Sequence, residues 1–135
     1  MKKYTLKQAK AKAWVAFSTF IRTRDCLKAT GTSNLGICVT CGKHCDIKSL
    51  QAGHFIGGRT NSVLFVEDNC HAQCVGCNVF LRGNYDRYVV FMLDTYGEKR
   101  VRELADLKNH LTKYSVSDYV DLCEKYKKLN EEVLA

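Results

Sequence analysis

The 135-residue chain has no proline, no internal repeat and no low-complexity tract, so nothing in it marks a boundary between domains. One domain with a modest core, spanning 1–135, is the expectation at this length. No apolar run approaches the length of a membrane span. The opening "MKKYTLKQAKAKAW" mixes lysines into a helical pattern where an export signal would carry an unbroken apolar stretch. A soluble, cytoplasmic protein with no membrane partner is expected. Acidic residues are also in short supply, with 14 Asp and Glu against 21 Lys and Arg, for a formal net charge of +7. That imbalance favours a polyanionic partner, and nucleic acid is the first candidate because each neutralised phosphate releases counterions.

Cysteine, by contrast, is abundant, with eight residues. A secreted scaffold would pair them as disulfides. Here no export signal accompanies them and four fall into two CxxC pairs, which favours metal. Cys38 and Cys41 form "CVTCG"; Cys74 and Cys77 form "CVGC". Each pair points two thiolates at one centre from a tight knuckle, and two knuckles complete the tetrahedral shell of a structural zinc with no open position. Its binding would supply folding free energy on the order of 10 kcal/mol or more. Two rival ligand sets stay open, since "CVTCGKHC" also offers His44 and Cys45, and "NCHAQC" also offers Cys70 and His71. Cys26 and Cys123 lie in or beside helical patterns and read as buried thiols.

Four stretches differ in character. Residues 1–25 read as a basic N-terminal helix capped by Thr5 and ending near Arg24, with Trp14, Phe17 and Ile21 on its apolar face. Lys7, Lys10, Lys12, Arg22 and Arg24 decorate it, and Arg22 and Arg24 are candidate DNA contacts. From Cys26 to about Gly36 the composition is that of a polar loop. Residues 37–84 hold six of the eight cysteines and three of the four histidines, so the chemistry is expected there. Residues 85–135 carry helix-period apolar positions, with Gly97 as a stop and Ser115 or Ser117 as a cap, giving two or three C-terminal helices.

Inside the zinc-bracketed loop, His54 precedes Asn69 by fifteen positions and Asn69 precedes Asn78 by nine. Phosphodiester hydrolysis needs a water made nucleophilic and a leaving oxygen whose charge is neutralised. A neutral histidine can take the water's proton, and a hard divalent cation held by oxygen ligands can do the rest. The His, Asn, Asn spacing, framed by two knuckles, resembles that of the HNH (ββα-metal) nucleases, with asparagine in place of the last histidine. That resemblance implies His54 as general base, Asn69 closing the loop and orienting the imidazole, and Asn78 giving an oxygen to magnesium or manganese from the first turn of a helix. Arg82, one turn further along that helix, and Arg59, in the intervening loop, are candidate phosphate contacts.

More of the chain joins the likeness: "KAW", "FSTFIRTRD", "CVTCGK", "QAGHF", "NCHAQCVGCN" followed by "RGN", and then "YG". In order and spacing these resemble the phage NinG/Rap recombination endonucleases, and the knuckles with their trailing asparagine are similar to phage endonuclease VII. The resemblance implies an α+β, mainly helical fold with a ββα-metal core clamped by four-cysteine zinc. It implies an endodeoxyribonuclease acting on Holliday junctions, D-loops or related branched DNA in the host cytoplasm, with a homodimer expected for branched substrates. A non-catalytic zinc-dependent DNA-binding module, or an HNH nuclease acting on linear duplex, are the alternatives. One position departs from the pattern. Many HNH enzymes carry an Asp or His metal ligand just before the base, and here Gly53 stands there. His71, Asp68 and Gln51 are the candidates to replace it, with His71 first.

Overall fold

The computed structural model describes residues 3–57 and 61–135. Helix α1 runs from Leu6 to Thr30. Thr5 starts it with a capping box: its hydroxyl accepts from the Gln8 amide at 3.2 Å, and the Gln8 side chain accepts from the Thr5 amide at 3.0 Å. The helix passes through the segment read as a loop, because Cys26 is buried and Gly31 is the first residue free to turn left-handed, with φ 76° and its amide bonded to Leu27. Ala9, Ala13, Ala16, Phe17, Phe20 and Ile21 are buried. The alanines let α4 (Val116–Leu134) approach closely, and Phe17 meets Tyr126 edge-on at 4.8 Å. Burying a side chain such as Phe17 is worth about 2–3 kcal/mol. Ser115 caps α4, forming a second capping box with Asp118.

Two small antiparallel sheets pack beside α1. Strands β1 (Leu35–Ile37) and β2 (His44–Asp46) pair with Ile37 opposite His44, and the first knuckle fills the turn between them. Strands β3 (Leu50–His54) and β4 (Cys70–Cys74) pair with Leu50 opposite Cys74 and His54 opposite Cys70. A short helix α2 (Asn61–Leu64) lies in the connection between them. After β4 the second knuckle enters a single wide turn of π-helical form, Gly76–Phe80, which Arg82 and Asn84 end in left-handed conformation with φ 50° and 49°. The helix expected to start at the second knuckle is therefore only this turn, and Arg82 stands after it, not along it.

Helix α3 (Tyr85–Leu107) is broken at Gly97, where φ 86° and ψ 165° leave the helical region. The glycine is a break between two arms where the sequence suggested a stop. Phe55, Tyr88, Met92 and Leu104 form the buried cluster beneath α3. The chain is thus mainly helical with two small sheets, and no described helix is long and apolar enough to cross a membrane.

Candidate functional site

The sulfurs of Cys38, Cys41, Cys74 and Cys77 all lie within 4.8 Å of one another, with Cys41 and Cys74 at 3.8 Å. Tetrahedral zinc with Zn–S near 2.3 Å would place its sulfurs about 3.8 Å apart, so the donor set and its spacing fit zinc. The backbone supports negative sulfur here. The Cys77 amide donates to Cys74 Sγ at 3.4 Å, and Asn84 Nδ2 donates to Cys77 Sγ at 3.4 Å. Burial pushes the Cys38 thiol up, but hydrogen bonds from Thr40 and from the amides of Cys41, Cys74 and Thr40 outweigh it and bring it to about 6. Cys41 is pushed up to about 12, first by burial and then by sharing with the other three sulfurs.

The rival ligands lie outside that cluster. Cys45 is buried on β2 with its thiol near the Lys43 carbonyl, and Cys70 is fully buried on β4. Cys26 and Cys123 are buried thiols.

Along the free side of β3 runs a cleft of about 720 Å³. Trp14, Ser18 and Arg22 of α1 line it together with Asn78, Val79 and Arg82. Lys48 and the β3 residues from Leu50 to His54 other than Gly53 are among the rest of the lining. Three cations and no carboxylate appear among its described lining residues. His54 ends β3. Its ring stacks on Trp14 at 5.1 Å and 25°, and Nε2 lies 2.9 Å from the Leu64 carbonyl. A carbonyl only accepts, so Nε2 carries a proton.

Asn69 is fully buried. Its Oδ1 accepts from the Ile56 amide at 2.8 Å, and its Nδ2 donates to the carbonyls of Ile56 and Val63 at 3.1 and 3.2 Å. It thus clasps the loop that presents the Leu64 carbonyl to His54 and does not itself touch the imidazole.

Asn78 donates through Nδ2 to Gln51 Oε1 at 2.8 Å, while its Oδ1 turns towards Gly53. A Cβ at position 53 would lie 2.9 Å from that Oδ1 and only 1.8 Å from Gln73 Oε1. Glycine is required there by close approach. Gln73 is fully buried and its carboxamide is oriented by the Gly83 carbonyl, which only the NH₂ group can meet, at 2.9 Å, with Thr40 Oγ1 at 3.2 Å. Oε1 therefore faces Gly53, and it has no hydrogen-bond partner among the described residues. Leaving such an atom buried and unmet costs about 1–3 kcal/mol.

Several expected positions differ. His71, on β4, is buried away from the cleft with both ring nitrogens engaged: Nε2 lies 2.7 Å from the Tyr96 hydroxyl and Nδ1 3.1 Å from the Tyr88 hydroxyl. Tyr88 donates to the Gly53 carbonyl at 2.7 Å, so Nδ1 donates to Tyr88 and Tyr96 donates to Nε2. Burial lowers the His71 pKa to about 4, which keeps it in that neutral form. His71 braces Gly53 from behind. Asp68 is held by Arg100 at 2.6 and 2.9 Å. Arg24 is turned inward, to Asp25 at 2.8 Å and to the carbonyls of Glu67 and Cys70 at 3.0 and 2.8 Å. It ties α1 to β4 and does not face the cleft. Arg22 and Arg82 do line the cleft, and Arg59 lies outside the described residues.

Sequence reasoning missed Gln73, Lys48 and the stacking of Trp14 on His54. A signal for Gln73 existed: the register of β3 on β4 puts 71 and 73 on the same face as position 53.

A family model described as "Bacteriophage Lambda NinG protein" matches residues 1–133. No curated protein and no solved structure matches the chain.

Proposed function

The chain belongs to the NinG family, and from that premise we propose that it is a metal-dependent DNA endonuclease cutting phosphodiester bonds in branched recombination intermediates. The observation that carries the reading is one cleft in which His54 and Asn78 meet three cations, Arg22, Lys48 and Arg82. The cations seat the phosphate backbone without reading sequence. His54 takes the proton of the attacking water at Nδ1, its ring held by the Leu64 carbonyl and Trp14. Asn78 Oδ1 would hold magnesium or manganese, whose bound charge supplies neutralisation of the leaving oxygen. The four-cysteine zinc has no open position and serves the fold. The preference for four-way junctions and D-loops rests on the family resemblance, as does a dimer that presents two sites to one branch.

The test incubates wild type and His54→Ala with a four-way junction, a D-loop and linear duplex, with and without magnesium or manganese. Wild type should cut branched DNA only with metal, and His54→Ala should cut about 10²- to 10⁴-fold more slowly with binding intact. Undiminished cutting by the variant removes His54 as the base. Binding by wild type without cutting points to a zinc-dependent binding module. Equal cutting of linear duplex removes the branch preference.

A further inference from the structure

We propose that Phe80 is a wedge that stacks on the bases exposed at a DNA branch point, and that this contact makes the neighbouring cleft favour branched over linear DNA. The inference rests on the reading of the cleft as a DNA site and adds to it the side chain that senses the branch.

Of the six phenylalanines, five pack in core clusters: Phe17, Phe20 and Phe65 in one, Phe55 and Phe91 in another. Phe80 alone stands out, 79 % exposed, and Val79 and Leu81 beside it are 52 % and 59 % exposed. Three consecutive apolar side chains offered to water mark a contact surface. Their mount is rigid. The amides of Leu81, Arg82 and Gly83 donate to the carbonyls of Gly76, Val79 and Cys77 at 2.9, 3.2 and 2.8 Å. Arg82 and Asn84 hold a left-handed backbone that side chains other than glycine rarely adopt. Cys77, one of the four clustered sulfurs, anchors the turn. The ring is therefore presented in place, and contact with a partner costs little ordering of the backbone.

What the patch meets follows from its neighbours. Val79, Arg82 and Tyr85 line the cleft. Phe80 and Leu81 do not line it, but the chain sets them between Val79 and Arg82, at its border. A strand whose phosphates are seated by Arg22, Lys48 and Arg82 passes beside an exposed aromatic face. Stacking on that face is open to any base, since every base has a π-face, which suits cations that read no sequence. Within a linear duplex both faces of each base are covered, and a wedge must first unstack a step. At a branch the last pair of an arm has lost a continuous neighbour, so less stacking is given up. The other candidate occupant is a second copy of the chain. A two-fold contact would set the patch against itself and bring the exposed Arg82 and Arg87 towards their own counterparts, with Asp86 the single carboxylate on residues 75–87. Charge therefore favours DNA.

The experiment uses zinc-loaded full-length protein with no magnesium or manganese added. Binding to a four-way junction and to linear duplex of the same arm sequence is read by fluorescence anisotropy across a salt series. Phe80→Ala should weaken junction binding about 5- to 150-fold, leaving duplex binding and both salt slopes unchanged. Phe80→Trp, with a larger face, should keep the preference. Arg82→Ala should weaken both DNAs alike and lower the salt slope by about one unit. Zinc content verifies the fold of each variant. Independently of any substitution, 4-thiothymidine at the branch point should photocross-link to Phe80, and the same base deep in an arm should not. If wild type prefers the junction and zinc-replete Phe80→Ala keeps that preference, or the cross-link falls elsewhere, Phe80 is not the wedge and the cleft reading stands. If wild type sediments as a dimer that Phe80→Ala dissociates, the patch belongs to a second copy and the proposal is overturned. If wild type binds neither DNA, the cleft reading itself fails and the wedge with it.

Discussion

Gln73 and Cys74 are neighbours on β4, yet one side chain packs on Gly53 of β3, the strand whose free edge opens on the cation-lined cleft, and the other joins a closed cluster of four sulfurs. The sulfur cluster is built from two short knuckles, so its geometry is set by local spacing and needs only that the knuckles meet. The cleft is lined by residues far apart in the chain, among them Trp14, Arg22, Lys48, Gln51, His54 and Asn78. Its geometry depends on the packing of α1, β3, β4 and the wide turn together. A closed centre stores stability, whereas an open cleft leaves its polar groups to solvent.

Breaking the closed side should have the largest effect. Cys74→Ser, or zinc removal by a chelator, should cost folding free energy on the order of 10 kcal/mol. The cooperative thermal transition should vanish, with DNA cutting lost alongside it. A variant that melts cooperatively without zinc would show that the thiol cluster is not what holds the hairpins together.

The brace behind the cleft should show itself through pH. In the folded chain burial delays protonation of His71 to about 4, against 6.5 for the exposed group. The neutral ring's contribution is thus complete above pH 6.5 and is lost as pH falls towards 4, for a total of about 3 kcal/mol. His71→Gln can keep both tyrosine bonds but cannot titrate. Urea midpoints between pH 7.5 and 4.5 should fall less steeply for this variant than for wild type. Parallel slopes would show that His71 charges without disturbing the fold.

The smallest effects should separate two arginines two positions apart. Arg24→Ala removes inward bonds to Asp25, Glu67 and Cys70 and should cost about 2 kcal/mol of stability. Arg22→Ala should leave stability nearly unchanged but weaken DNA binding and reduce its salt slope by about one unit. Matching effects from the two substitutions would erase the distinction between wall and anchor.

What the sequence made legible follows the same division. The CxxC pairs, the Thr5 cap and the Ser115 cap are local signals, and each sits where its spacing placed it. The extension of α1 to Thr30 was hidden because a polar composition outweighed the burial of Cys26, which only the packed hairpins create. Arg24 reads as a DNA contact in the sequence because its partners, Glu67 and Cys70, lie over forty positions away. The cleft residues His54 and Asn78 were found through their spacing, while the packing of Gln73 on Gly53 escaped because it is lateral, set by strand register and a carbonyl ten residues downstream.

The two edges of the β3–β4 hairpin meet the outside differently. On β4, Asp25 accepts from the Ala72 amide at 2.7 Å, the Val39 amide donates to the Ala72 carbonyl, and Arg24 caps the Cys70 carbonyl. That edge is closed to any added strand. The edge of β3 opens on the cleft between Arg22, Lys48 and Arg82, whose like charges oppose the approach of the same edge from a second copy. A polyanion meets no such barrier, so the arrangement that guards this short sheet against self-assembly also selects what is admitted to it.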